Sequence, residues 1–317
     1  MSNKPLPPLM RDVVINRIFE AAQKDKDILF ISADLGAAAL DGFREKLPDQ
    51  FIHAGISEQN MVDLASGLAL SGKKVFLYAM APFLTARCYE QIKCVIASMN
   101  LPITLIAVGV GLGYDHATLT HFTPEDIACM RALNGIEVLT PGDAEAAEEI
   151  AEVAITDPDF RYIRLDRQGL EPIYGGGFKA VYDQGFGHIS EGKNIAIVAC
   201  GVLLQKALLA RDALAEKGVD AGVIDLFRVK PINGKALAEA MADYDAVVTV
   251  EEQSLEGGMS SAVLEAMVDH NTLKPVKRLG MQDGYAVING DRDGLHDLYE
   301  IDTPHMIDAA LELAGKA

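Results

Sequence analysis

The sequence predicts an α/β protein made of two three-layer domains, each a mainly parallel sheet with helices on both faces. Three observations predict it. Short β-rich apolar runs alternate with longer segments whose apolar residues recur at three- and four-residue steps. The β-type runs are apolar enough to read as buried strands, which suits a sheet covered on both sides. The 317 residues, half of them hydrophobic, suggest about two domains.

Taken in order, residues 9–23 open with a helical stripe in which Met10, Val13, Val14 and Ile18 share a face. "DILFISADL" (27–35) follows as a strand, and a short strand at 51–54 leads to a turn at Glu58. Residues 58–71 carry helical spacing and "KKVFLYAM" (73–80) is a strand. A helix over 84–99, a strand "ITLIAVGVG" (103–111) and a helix over 125–133 come next. "GIEVLT" (135–140), a helix over 143–156 and "FRYIRL" (160–165) complete the first set. The Gly-rich stretch "YGGGFKAVYDQGFGHISEGKN" (174–194) is loosely patterned, so the expected division is a domain over 1–172, a linker over 173–192 and a second domain over 193–317. In that second part "IAIVACG" (195–201), "VDAGVIDL" (219–226), "DAVVTVEE" (245–252) and "VKRLGM" (276–281) read as strands, separated by helices at 203–217, 233–242 and 258–270. "EEQSLEGGMSS" (251–261) reads as a helix start with glycine for close packing.

The net charge of −18 carries no basic footprint for nucleic acid or an anionic membrane. Cys88, Cys94, Cys129 and Cys200 lack CxxC spacing and sit in apolar contexts, so they read as reduced, packed thiols of a cytoplasmic protein. The segment MSNKPLPPLMRD has no signal-type apolar core, and no run reaches the roughly 18 apolar residues of a membrane span.

Ligands of open α/β sheets gather at the carboxyl ends of strands. Just past these ends lie Asp34, Glu58, Phe83, Asp115, His116, His121 and Arg167. Each has an ordinary explanation taken singly: a turn or cap acid, a core ring, a loop imidazole, a surface ion pair. Together on one edge they make a candidate site. Gly109, Gly111 and Gly113 are spaced GxGxG, not the GxGxxG of a dinucleotide loop.

"SADL" (32–35), "GISEQNMV" (55–62), "FLTAR" (83–87), the Gly-rich loop ending "THF" (120–122), "EDIACMRAL" (125–133), "PGDAEAAEE" (141–149), "RLDRQGL" (164–170) and "VVTVEEQ" (247–253) fall in the order of family counterparts. The whole chain resembles the C-terminal half of transketolase and the related half of 1-deoxyxylulose-5-phosphate synthase. The resemblance implies thiamine diphosphate as cofactor, with Glu58 hydrogen-bonded to its aminopyrimidine N1′ and Phe83 stacked on that ring. A carboxylate between Ile56 and an apolar helix loses water, which suits sharing a proton. The resemblance places Asp34 beside the thiazolium and donor, with Leu35 next to it against the cofactor. It gives His121 the sugar oxygens, Asp115 a substrate hydroxyl, and Arg167 a terminal phosphate, for which a guanidinium fork is suited; His116, extra to the family loop, is a further substrate-site candidate.

The departures are informative. No GDG motif with a downstream asparagine is present, and "NGDRDG" (289–294) does not replace it. The resemblance therefore implies a split enzyme whose N-terminal partner subunit carries GDG…N and holds Mg2+ and the diphosphate, while this chain holds no metal. Ala107-Val108-Gly109 stands where many members have a phosphate-contacting histidine, and the loop from Asp115 to His121 is long. Self-association follows from family sites that lie between subunits; the second domain there mainly supports the dimer. The expected activity is transfer of a two-carbon ketol unit between sugars or sugar phosphates. Two alternatives stand beside it: the β subunit of a 2-oxo acid dehydrogenase or a deoxyxylulose-phosphate-synthase-like enzyme, and a non-catalytic binding module.

Overall fold

A computed structural model describes residues 6–284 and 290–316. Asn289 of the NGDRDG stretch and the first five residues lie outside the described residues. Twelve strands are described: β1 (Ile28–Ala33), β2 (Phe51–Gly55), β3 (Lys74–Met80), β4 (Ile103–Val108), β5 (Glu137–Leu139), β6 (Arg161–Leu165), β7 (Gly187–Ser190), β8 (Ile195–Ala199), β9 (Ala221–Asp225), β10 (Arg228–Lys230), β11 (Ala246–Ser254) and β12 (Val276–Met281). They form a seven-stranded sheet in the order β10-β5-β6-β4-β3-β1-β2 and a five-stranded sheet in the order β12-β11-β8-β9-β7. Only β10 against β5 and β7 against β9 run antiparallel among the described pairs.

The reason for this architecture is visible along the central strands. Phe30, Tyr78 and Ile106 enter one apolar cluster, and their neighbours Ile31, Leu77 and Leu105 enter another on the opposite face. Period-two alternation thus feeds two cores, and both must be covered by helices. The helices Met10–Ala22 and Ala144–Thr156 pack together on one side. The helix Glu58–Leu70 lies on the other, with Met61, Val62 and Ala65 fully buried. Asp143 starts the helix Ala144–Thr156 by accepting the Ala146 N–H at 2.8 Å.

Several details differ from the sequence reading. The helix expected over 84–99 is broken into Ala81–Leu84, Tyr89–Gln91 and a π-type turn Ile92–Ala97. The cause is local competition for carbonyls: the Thr85 hydroxyl donates to Ala81 O at 2.7 Å and the Cys88 thiol to Phe83 O at 3.1 Å. The short strand β10 crosses from the second half to edge the first sheet, where Lys230 donates to Arg131 O at 2.6 Å. The Gly-rich stretch is ordered by its aromatic rings. Phe178 is fully buried, with Phe227 at 4.6 Å and Tyr174 at 4.9 Å between ring centroids. All four cysteines are free thiols, but Cys94 is exposed rather than packed.

Asp225 ends β9 beside Tyr174 of this stretch. It is fully buried, and the Tyr174 hydroxyl donates to its Oδ2 at 2.6 Å. Burial pushes its carboxyl up to about 8; the Tyr174 hydrogen bond opposes this and the nearby Asp143 carboxylate adds to it. An unfolded aspartate ionises near 4, at about 3.9. The folded state therefore keeps a proton that the unfolded chain releases, and stability from this group is lost as pH rises from about 4 to about 8. Asp225→Asn removes that loss. In denaturant titrations the midpoint of the variant relative to the parent should rise between pH 5 and pH 8. A constant difference would mean that Asp225 is ionised in the fold.

Candidate active site

The parallel strands deliver the candidate residues to one edge. Asp34 follows β1, the Glu58 turn follows β2, Phe83 follows β3, the Gly-rich loop follows β4 and Arg167 follows β6. Strand β1 has β2 on one side and β3 on the other, so chain progression reverses there, the position where open α/β sheets bind ligands.

Glu58 is the first residue of its helix and only 4% exposed. Its shielding does not come from Ile56, which is 78% exposed; it comes from the buried start of the helix, where Met61 and Val62 enter the core. A carboxylate at a helix N-terminus also gains from the helix dipole. Its partner is Arg87, whose guanidinium donates to Glu58 Oε2 at 2.7 Å. The same guanidinium lies 4.1 Å from the centroid of the Phe83 ring. Phe83 meets His121 edge-on at 5.3 Å, and His121 meets Tyr114 edge-on at 5.7 Å. The Tyr114 ring in turn lies 5.0 Å beneath the Arg167 guanidinium. Four predicted residues, Glu58, Phe83, His121 and Arg167, are thus joined in one unbroken strip by two others, Arg87 and Tyr114.

The remaining predicted residues lie off this strip. Asp34 is exposed, with His53 Nε2 at 4.0 Å, and Leu35 leans on the core beneath the first helix. Asp115 pairs with His116 at 3.2 Å, and His116 is largely exposed. The sequence reading missed Arg87 and Tyr114 as functional candidates, although "FLTAR" ends on Arg87. Their signal is positional: each lies a few residues beyond a strand end and carries a flat side chain.

Thr120 Oγ1 lies 2.9 Å from His121 Nδ1 and orients the imidazole. Burial raises the Tyr114 phenol, with Arg167 and Arg11 pulling the other way. Burial, followed by the Glu58 charge, pushes the Cys88 thiol up to about 12, so this cysteine stays a neutral packing group beside the acid. Behind the strip, Arg164 forms a two-pronged pair with Asp126 at 2.8 and 3.1 Å, and the Tyr162 hydroxyl donates to the same carboxylate at 2.7 Å. This buried triad fixes the carboxyl-terminal half of β6 against the helix Asp126–Arg131.

The arrangement also tests the fit of the thiamine aminopyrimidine. Arg87 shows that one flat N–H-bearing group can pair with Glu58 and cover Phe83 together. A ring with nitrogen atoms at its edge matches the same acid and the same aromatic face.

Two mainly parallel sheets, the first with an acid, an aromatic ring, an imidazole and a guanidinium along its carboxyl edge, give the architecture of an α/β enzyme subunit. Residues 7–172 match the family described as transketolase, pyrimidine binding domain, and residues 187–306 match transketolase, C-terminal domain. The chain belongs to the transketolase family. It is similar to an apulose-4-phosphate transketolase subunit of Actinobacillus succinogenes, 31% identical over 96% of this chain and 98% of that protein. The 1-deoxy-D-xylulose-5-phosphate synthase of Crocosphaera subtropica is 32% identical over 89% of this chain, but over only 45% of its own length. A solved structure described as a split gene transketolase, inactive β4 tetramer, aligns with a TM-score of 0.86 at 30% identity, covering 98% of this chain and 99% of that one. No described helix is long and apolar enough to cross a membrane.

Gly109 explains how Tyr114 reaches its place. Gly109 has φ +77°, and a Cβ there would lie 2.0 Å from the Tyr114 ring. Gly109→Ala should displace the ring and lower stability by roughly 1–3 kcal/mol in denaturant titration. An unchanged midpoint would mean that the ring does not rest on the glycine.

Proposed function

We propose that this chain is the pyrimidine-binding subunit of a split, thiamine-diphosphate-dependent transketolase, a transferase that moves a two-carbon ketol unit from a ketose to an aldose. The strip from Glu58 to Arg167 carries the proposal. The near-complete match to a relative that is named as a separate transketolase subunit supports the split. A partner subunit supplies the GDG…N motif, Mg2+ and the diphosphate grip, and the assembly is a cytoplasmic heterotetramer. The tetrameric neighbour supports self-association.

Thiamine diphosphate, when bound, supplies the carbon nucleophile and electron sink for breaking and making the carbon–carbon bond. Glu58 holds a proton at the N1′ position of the aminopyrimidine, and its burial keeps competing water away. Phe83 orients the ring, a contact worth roughly 1 kcal/mol beyond burial. His121 binds sugar oxygens, steadied by Thr120 and the flanking rings of Phe83 and Tyr114. Arg167 is exposed at the far end, where an arriving sugar phosphate meets its guanidinium. Asp34 and Leu35 border the donor side, and Asp115 with His116 borders the acceptor side. The match to the deoxyxylulose-phosphate synthase keeps one second reading, in which pyruvate is the donor. Release of CO2 from pyruvate by the assembled enzyme would favour it.

Two substitutions test the roles in the assembled enzyme. Glu58→Ala should lower kcat by at least about 100-fold with unchanged circular dichroism. Near-parental turnover would remove Glu58 from the mechanism. Arg167→Ala should raise KM for glyceraldehyde 3-phosphate by roughly 10-fold or more and leave glyceraldehyde nearly unaffected. Equal losses for both aldehydes would sink the phosphate grip.

A further inference from the structure

The second domain holds none of the predicted site residues, yet it is bonded directly to the loops that carry them. Arg292 begins the helix Arg292–Leu298 and is 4% exposed. Its guanidinium donates to both oxygens of Asp166, at 2.9 and 2.6 Å, and to both oxygens of Glu252, at 2.7 and 2.6 Å. His296, one turn along the same helix, pairs with the same Glu252 oxygen that accepts the Arg292 Nε–H. All four groups are buried.

Asp166 immediately precedes Arg167, and its Oδ1 also accepts the Gln168 N–H at 2.8 Å. Arg167 is thereby bracketed by Asp166, which Arg292 holds, and by Gln168, which Asp166 holds. Glu252 supports the other loop. Gly111 of the Gly-rich loop has φ +58°, and a Cβ there would fall 2.6 Å from Glu252 Oε2. The Ser254 N–H on the same strand, β11, donates to Pro124 O at 2.8 Å, just past His121. One buried cluster therefore seats both the Arg167 loop and the loop that carries Asp115 and His121. A cleft of about 370 Å³ beside it is lined by Asp115, Gln168, Lys206, Arg292 and His296.

We infer that Arg292 and Glu252 are positioning residues for substrate selection: the second domain uses them to aim Arg167 at the anionic end of the substrate. This rests on the phosphate role proposed for Arg167. A guanidinium that bonds two carboxylates edge-on fixes direction as well as distance, which a lysine cannot reproduce. The Arg167 guanidinium itself rests only against the Tyr114 ring among the described residues, while the hydrogen bonds that anchor its loop are made by Asp166 and Gln168.

The test measures KM for glyceraldehyde 3-phosphate against KM for glyceraldehyde in the assembled enzyme, with hydroxypyruvate as donor. Arg292→Lys and, as a milder change, Glu252→Gln are compared with Arg167→Ala and with the double variant Arg292→Lys/Arg167→Ala. Thiamine diphosphate affinity is read by calorimetry in parallel. The expected result is a 5- to 20-fold rise in KM for the phosphorylated aldehyde alone, with kcat and cofactor affinity within about twofold of the parent. In the double variant Arg292→Lys should add no further selectivity loss to Arg167→Ala. If Arg167→Ala shifts selectivity but neither clamp variant does, or if the effects multiply, the positioning role is wrong and the Arg167 reading stands. If Arg167→Ala itself leaves selectivity unchanged, the phosphate reading fails first. If neither clamp variant assembles, the cluster is a folding element and the inference is overturned.

Discussion

The parallel direction of the first sheet is the constraint on which the rest of the site depends. Strands β2, β1, β3, β4 and β6 stand side by side and point the same way. Their backbone groups are satisfied within the ladder, so polar side chains are concentrated where the strands stop. Neighbouring strands are about 4.8 Å apart, and four such steps span roughly 20 Å. The acid after β2 and the guanidinium after β6 are therefore set at opposite ends of the strip. A ligand that touches both must be extended, as a cofactor ring and a sugar chain together are.

This edge is held by charge as much as by apolar packing. Arg164 with Asp126 and Arg292 with Asp166 and Glu252 are all nearly or fully buried. Against the desolvation of burial, Arg292 and His296 keep the Glu252 carboxyl well below its ordinary range. Such clusters add little net stability over apolar packing, but losing one partner leaves an uncompensated buried charge. Their value is geometric. Each forces a helix and a strand end to meet at one angle, which apolar side chains of similar size would not enforce.

Much of this was legible in the sequence because it depends on periodicity. The strands from β1 to β6 and the helices at Met10–Ala22, Glu58–Leu70 and Ala144–Thr156 bury stripes that can be counted. Glu58, Phe83, His121 and Arg167 could be placed together because each follows a strand. What could not be read depends on contacts distant in the chain. Arg87 has the composition of a surface residue until its two partners are known. Tyr114 needs the missing side chain of Gly109. Arg292 lies 126 residues from Asp166 in the sequence, and no local pattern announces that pair. Strand β10 is three residues long, and its pairing to β5 is tertiary in origin.

The strip itself shows a gradient that suits the roles proposed for its ends. Glu58 is shut off from water, and Arg167 is exposed. A proton shared with a ring nitrogen needs a dry, fixed partner, because water would compete for it. An anion grip needs access, because an incoming phosphate must trade its water for guanidinium N–H groups. Between the two, four flat groups lie against one another, and each such contact contributes only about 0.5–1.5 kcal/mol. No single link is strong enough to lock the strip. Rigidity has to be supplied from beneath, by Glu252 under the Gly-rich loop and by Asp166 under Arg167. The domain that contributes no residue to the strip is thus bonded to the loop at its exposed end, through Arg292 and Asp166.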